Sequence, residues 1–168
     1  GVGLLYARKG RRLAPQVWGA GQEHGFHPGT ENVAFSVGMA LAMRLAVNGL
    51  ARDAPRVAAL RDRLWDLLRK AVPGVRLNGH PTERLPNTLN VSFPGVRGSA
   101  VLAGAPEVAA TTGAACHEGA ESPSAVLAAM GLSPDAALGA VRLSLGRGTT
   151  RTDVDRAAAA LVRAWRAI

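Results

Sequence analysis

The chain of 168 residues is 48% hydrophobic and 19% charged, which excludes a disordered protein and supplies apolar material for one core or parts of two. Its 20 basic and 12 acidic residues give a formal net charge of +8, suited to an acidic partner. Nucleic acid is not the expected partner, because the arginines are scattered from Arg8 to Arg166 and aromatic residues make up only 4%. The single cysteine, Cys116, makes no internal disulfide and fits a reducing, cytoplasmic compartment. The stretch nearest to the ~18–20 apolar residues of a membrane span is Val33–Leu50. Ser36, Arg44 and Asn48 interrupt it, so neither a membrane span nor a secretory leader is expected.

In chain order, Val2–Ala7 reads as a strand, the basic stretch Arg8–Arg12 as a turn, and Val17–Trp18 as the end of a second strand. Gly19–Gly25 is loop. Pro28-Gly-Thr-Glu-Asn32 is a helix start in which Thr30 can cap the first exposed amides. The following helix has apolar residues nearly all round and is therefore expected to be buried. A change of character at Asn48-Gly49 separates it from a second helix, Ala54–Ala71, with Val57, Leu60, Leu64, Leu67 and Leu68 on one face. Pro73-Gly74 ends that helix. Beyond it, strands are expected at Val75–Asn78, Thr88–Phe93, before Cys116 and at Val141–Leu145. Helices are expected near Ser99–Ala103, from Pro123 to Met130, and at the C-terminus. The last carries Thr150 and Asp153 at capping-box spacing, with Val154, Ala158, Leu161, Trp165 and Ile168 facing inward. Alternating strands and helices make an α/β layer.

Cys116 follows a short apolar run that breaks at Gly113 and is followed at once by His117, Glu118 and Gly119. A thiol on a Gly/Ala hinge beside a histidine can be presented as a nucleophile, although free cysteines also serve as small buried hydrophobes. Arg142 alternates with Val141 and Leu143, so it shares a strand face with Ser144, where a guanidinium can clamp a carboxylate or simply meet solvent. Thr30 combines a cap with a helix N-terminus that suits a phosphate. Gly19, Gly21 and Gly25 miss the dinucleotide-binding spacing by one residue. His24 and His27 with Cys116 and His117 form a weak metal pattern, and no metal is expected.

Taken in order, the segments Gly1-Val-Gly-Leu-Leu-Tyr, Gly21-Gln-Glu, Pro28-Gly-Thr-Glu-Asn32, Arg84-Leu-Pro-Asn-Thr-Leu-Asn90, Thr112-Gly-Ala-Ala-Cys116-His117, Pro123-Ser-Ala-Val-Leu127 and Val141-Arg-Leu-Ser-Leu-Gly-Arg147 resemble the C-terminal part of a cysteine desulfurase or selenocysteine lyase. These are pyridoxal-phosphate enzymes of the class V aminotransferase family. The resemblance implies an α/β fold, the C-terminal part of a fold-type I enzyme: residues 1–49 as the tail of the large domain and 50–168 as the small domain. It implies that Cys116 is the catalytic thiol that receives sulfur as a persulfide, that Arg142 binds the substrate carboxylate, and that Thr30 meets the phosphate of a partner's cofactor across a homodimer. L-cysteine is the implied substrate, with L-selenocysteine as the alternative, and a sulfur-acceptor scaffold for iron–sulfur assembly as a further partner. A non-catalytic dimerisation or scaffold-binding relative is the other alternative. The family's Schiff-base lysine would stand before Gly1. Neither Lys9 nor Lys70 has its sequence context, so the chain by itself is not expected to catalyse.

Overall fold

The computed structural model describes residues 1–113 and 122–168 and divides the chain into two compact units, Gly1–Leu50 and Ala51–Ile168. The first unit begins as irregular backbone. The strands expected at Val2–Ala7 and Val17–Trp18 do not form, because no neighbouring segment of the unit offers a ladder for their N–H and C=O groups. The expected basic turn is present, with the Arg11 N–H bonded to the Arg8 C=O at 3.1 Å and Gly10 at a φ of 84°. A 3-10 turn, Glu23–Gly25, leads to helix α1 (Val33–Ala71).

Helix α1 corrects two expectations. It runs unbroken through Asn48-Gly49 and contains Pro55, whose missing N–H leaves the Ala51 carbonyl without its helical donor but does not end the helix. Its first half is also exposed rather than buried: Val33 is 67% and Val47 69% accessible, and Phe35, Leu41 and Leu45 are open too. An all-round apolar helix requires cover, and nothing in Gly1–Leu50 supplies it. One 18-residue window of α1 reaches a mean hydropathy of 1.6, long and apolar enough by length and composition to cross a bilayer. The single charge of Arg44 between Val33 and Leu50 is too little to lower that mean.

The second unit holds the core. Its sheet has the order β1-β2-β3, with β1 (Arg76–Leu77), β2 (Thr88–Ser92) and β3 (Ala140–Ser144) all antiparallel. Between β2 and β3 lie α2 (Gly98–Ala103), α3 (Ala125–Ala129) and α4 (Pro134–Leu138), and α5 (Arg151–Arg166) closes the chain. Helix α4 was not foreseen, yet its start is local: Ser133 Oγ accepts the Ala136 N–H, with Pro134 at the first helical position. The capping box of α5 forms as expected, Thr150 and Asp153 each bonding the other's backbone.

One sheet face is dry. Leu89, Val91, Val141 and Leu143 project from it onto Leu64 and Leu68 of α1 and Val154, Ala158 and Leu161 of α5. Leu68, Val91, Val141 and Leu161 are fully buried, each contributing roughly 1.5–3 kcal/mol relative to exposure. Ile168, expected inside, lies past the end of α5 and is 63% accessible. Close approach of helix and strand requires glycine at Gly139, where a Cβ would meet the Phe93 carbonyl oxygen at 2.5 Å. Ion pairing then fixes the outer helices: Arg63 of α1 donates from Nε and Nη2 to Asp155 of α5 at 2.6 and 2.8 Å. Those bonds hold the Asp155 carboxyl below its ordinary range.

Candidate active site

Strand alternation builds the second sheet face, and that face is polar. Leu145 N–H bonds the Asn87 C=O and Phe93 N–H the Gly139 C=O, so the odd-numbered residues of β2 form the hydrogen-bonded pairs with β3. Asn90 opposite Arg142 and Thr88 opposite Ser144 are then non-hydrogen-bonded pairs, whose Cα atoms stand ~4.5 Å apart and whose side chains lie closest. Asn78, Thr88, Asn90, Ser92, Arg142 and Ser144 all fall on this face. Helix α4 covers its Ser92 end, where Ser92 Oγ donates to the Ala136 C=O at 2.6 Å. The Arg142 end stays open.

Arg142 is exposed on that open end, and no carboxylate among the described residues pairs with it. Its backbone is fixed on both flanks. Toward β2 it follows the ladder; on the other side its N–H donates to the Thr111 C=O at 2.7 Å and its C=O accepts the Thr111 N–H at 3.3 Å. A guanidinium on a fixed strand, with no carboxylate partner among the described residues, can take an external carboxylate through two parallel bonds. Thr111 also closes a turn, its Oγ1 donating to the Gly113 C=O at 3.2 Å and accepting the Gly113 N–H at 3.4 Å. Cys116 and His117, three and four residues after Gly113, lie outside the described residues.

Thr30 lies in the first unit. It is exposed, and the cap assigned to it belongs to Asn32, whose Oδ1 accepts the Phe35 N–H at 3.1 Å. The helix starts at Val33, so Asn32 is the flanking residue and Thr30 is two positions too early to reach the first-turn amides. The Thr30 hydroxyl has no partner among the described residues and stands next to Gly29, at a φ of 119°, just before the N-terminus of a 39-residue helix. Gly29 is itself held by its N–H to Gln22 Oε1 at 3.2 Å. His24 sits in the left-handed region, at a φ of 57°, inside the 3-10 turn. His24 and His27 belong to no group of three or more metal-ligating side chains among the described residues. Lys9 and Lys70 are both exposed surface residues.

The sequence reading missed two groups. Buried Asn78 and Ser92 form a polar network with half-buried Asn90 beside Arg142, with Asn78 Nδ2 donating to Asn90 Oδ1 at 2.7 Å and to Ser92 Oγ at 2.8 Å. The strict alternation Thr88-Leu-Asn-Val-Ser92 carried that signal. Arg61 of α1 is 8% accessible and donates to the Leu85 C=O at 2.7 Å. Burial and the nearby Arg61 charge lower the pKa of Arg84 from its ordinary value. A separate cavity of about 390 Å³ lies between Leu64, Val108, Leu143, Leu145 and Val154, and none of the three expected site residues lines it.

The aminotransferase class-V family model matches residues 1–157. The chain is 45% identical over 168 residues to a cysteine desulfurase of Frankia sp. (strain EuIK1), covering 98% of this chain and 40% of that protein. It is 41% identical over 158 residues to the cysteine desulfurase NifS of Azotobacter vinelandii, covering 93% and 39%. Among solved structures, a NifS-like protein superposes with a TM-score of 0.83 at 33% identity, covering 97% of this chain and 42% of that one. A NifS-like protein from Rickettsia africae ESF-5 superposes with a TM-score of 0.80 at 27% identity, covering 92% and 41%. The chain thus spans about two fifths of the length of the curated relatives it matches. With α/β architecture, sequence and superposition in agreement, it belongs to the class V aminotransferase family.

Proposed function

We propose that this chain is part of a pyridoxal-phosphate-dependent cysteine desulfurase that moves sulfur from L-cysteine to Cys116. The observation that carries the reading is Arg142: an exposed guanidinium with no carboxylate partner among the described residues, joined by two backbone bonds to Thr111, the residue that leads toward Cys116. The relatives described above bear the desulfurase name, which favours L-cysteine over L-selenocysteine.

The residues present suit one end of the cofactor. The uncommitted Thr30 hydroxyl and the α1 N-terminus can hold a phosphate, whereas Lys9 and Lys70 stand on the surface with no surroundings suited to the aldehyde. Bound pyridoxal phosphate supplies an electron sink for bonds breaking at the substrate amino acid. This chain's residues do the rest. Arg142 fixes the carboxylate and hence the direction in which the substrate sulfur points. The Cys116 thiolate attacks that sulfur: an S–S bond forms and the Cβ–S bond breaks, its electron pair passing to carbon. A proton equivalent to that of the substrate thiol returns to Cβ. The products are L-alanine and a Cys116 persulfide, with sulfur oxidised and carbon reduced, so no external oxidant is needed.

The uncovered apolar residues of Val33–Leu50 supply a surface that the remainder of the enzyme and a second copy would bury. A cytoplasmic homodimer that hands sulfur to an acceptor for iron–sulfur assembly completes the reading. The test is Cys116→Ala in the full-length protein. It should leave the Kd for L-cysteine, read from the absorbance change of the bound cofactor, within about twofold, since the thiol acts after binding, while alanine formation and thiol-reagent labelling of a persulfide disappear. Alanine formation at the wild-type rate would overturn the proposal.

A further inference from the structure

Asn90 stands directly across from Arg142, and its amide is oriented by hydrogen bonds that begin at a backbone carbonyl. The Ala136 C=O can only accept, so Ser92 Oγ must donate to it. With its proton committed, Ser92 Oγ is an acceptor toward Asn78, which therefore turns Nδ2 to it, at 2.8 Å. The same Nδ2 donates its other hydrogen to Asn90 at 2.7 Å, which requires Asn90 to present Oδ1. Each orientation is dictated by the one before. Asn78 and Ser92 are 6% and 3% accessible, so water has little access to compete for these bonds.

The relay leaves Asn90 Nδ2 on the flank away from β1, with no partner among the described residues. On that flank β3 brings Arg142 opposite Asn90, in the pair geometry where side chains lie closest. An amide NH2 and a guanidinium are both donors and cannot bond each other. Side by side, they converge on a group that offers several lone pairs, and a carboxylate offers about four. Asn90 is half-buried and short, whereas Arg142 is long and exposed. The arginine therefore supplies charge, and the asparagine a fixed position.

We propose that Asn90 is a second donor to the substrate carboxylate, aimed by Asn78 and Ser92, and that it sets which way the carboxylate sits on Arg142. This rests on the desulfurase reading above. In the full-length protein loaded with pyridoxal phosphate, Asn90→Asp keeps an oxygen for Asn78 but puts a second oxygen where Nδ2 stood. That oxygen pairs with Arg142 and repels the substrate. The KM for L-cysteine should rise at least about tenfold, the size of one charge-assisted hydrogen bond, with kcat within about twofold. Asn90→Ala, which removes the donor without adding charge, should raise KM roughly three- to tenfold and decides the question if the aspartate variant does not fold.

Affinity for L-alanine, which has the same carboxylate and no sulfur, should fall by the same factors in calorimetry, so binding is read without turnover. Wild-type KM and wild-type alanine affinity in the folded variants, with or without lost thermal stability, would reduce Asn90 to a structural residue and overturn the inference. A full-length protein that binds alanine in an Asn90-dependent way but leaves L-cysteine unchanged would refute the desulfurase reading and support this one.

Discussion

Replacing Arg142 with alanine should separate binding from folding, because the structure ties its backbone and leaves its side chain free. The backbone bonds to Thr111, at 2.7 and 3.3 Å, do not involve the side chain, which is exposed and makes no ion pair among the described residues. Truncation should therefore change unfolding free energy by no more than about 0.5 kcal/mol, as for other surface positions. Binding should respond quite differently. A hydrogen bond to a charged group contributes ~1.5–3 kcal/mol, so losing the clamp should raise the KM for L-cysteine between about tenfold and about 150-fold. Arg142→Lys keeps the charge but loses the planar fork and should fall between wild type and alanine. The assay is steady-state alanine production by the full-length holoenzyme, paired with urea unfolding of the same preparations. An unchanged KM in Arg142→Ala would show that this sheet face meets only solvent. A stability loss as large as the binding loss would show that the side chain serves the fold.

Two further perturbations address the first unit and the helix pair. Asn32→Ala should cost ~0.5–2 kcal/mol of stability through loss of the α1 cap, with cofactor retention intact. Thr30→Ala should do the reverse, leaving thermal stability unchanged and speeding release of pyridoxal phosphate from the full-length protein during dialysis; equal retention would remove Thr30 from the phosphate site. Asp155, whose carboxyl is held below its ordinary pKa first by hydrogen bonding to Arg63, stabilises the fold fully above the ordinary carboxylate value. That contribution is lost as pH falls through the lowered folded value. Between about pH 6 and about pH 3 the urea midpoint of wild type should thus decline more steeply than that of Asp155→Asn, and parallel declines would refute the linkage.

Features that depend on near neighbours in the chain were legible in the sequence. Thr150 and Asp153 lie three residues apart, so their reciprocal cap needs nothing from the rest of the protein. Alternation along Ala140–Ser144 puts Arg142 and Ser144 on one face whatever packs against the other. The segments that carried the family resemblance are likewise a property of order and spacing. Tertiary structure decided the rest, since burial and hydrogen-bond direction depend on partners distant in sequence. Arg61 is buried because the Leu85 carbonyl, 24 positions away, accepts from it. Asn90 presents Oδ1 to Asn78 and frees Nδ2 because Ser92 is committed to Ala136, 44 positions on. Helix α1 shows the same division: its apolar pattern is written in Val33–Leu50, but whether that pattern is covered depends on surfaces that no pattern within the helix can specify.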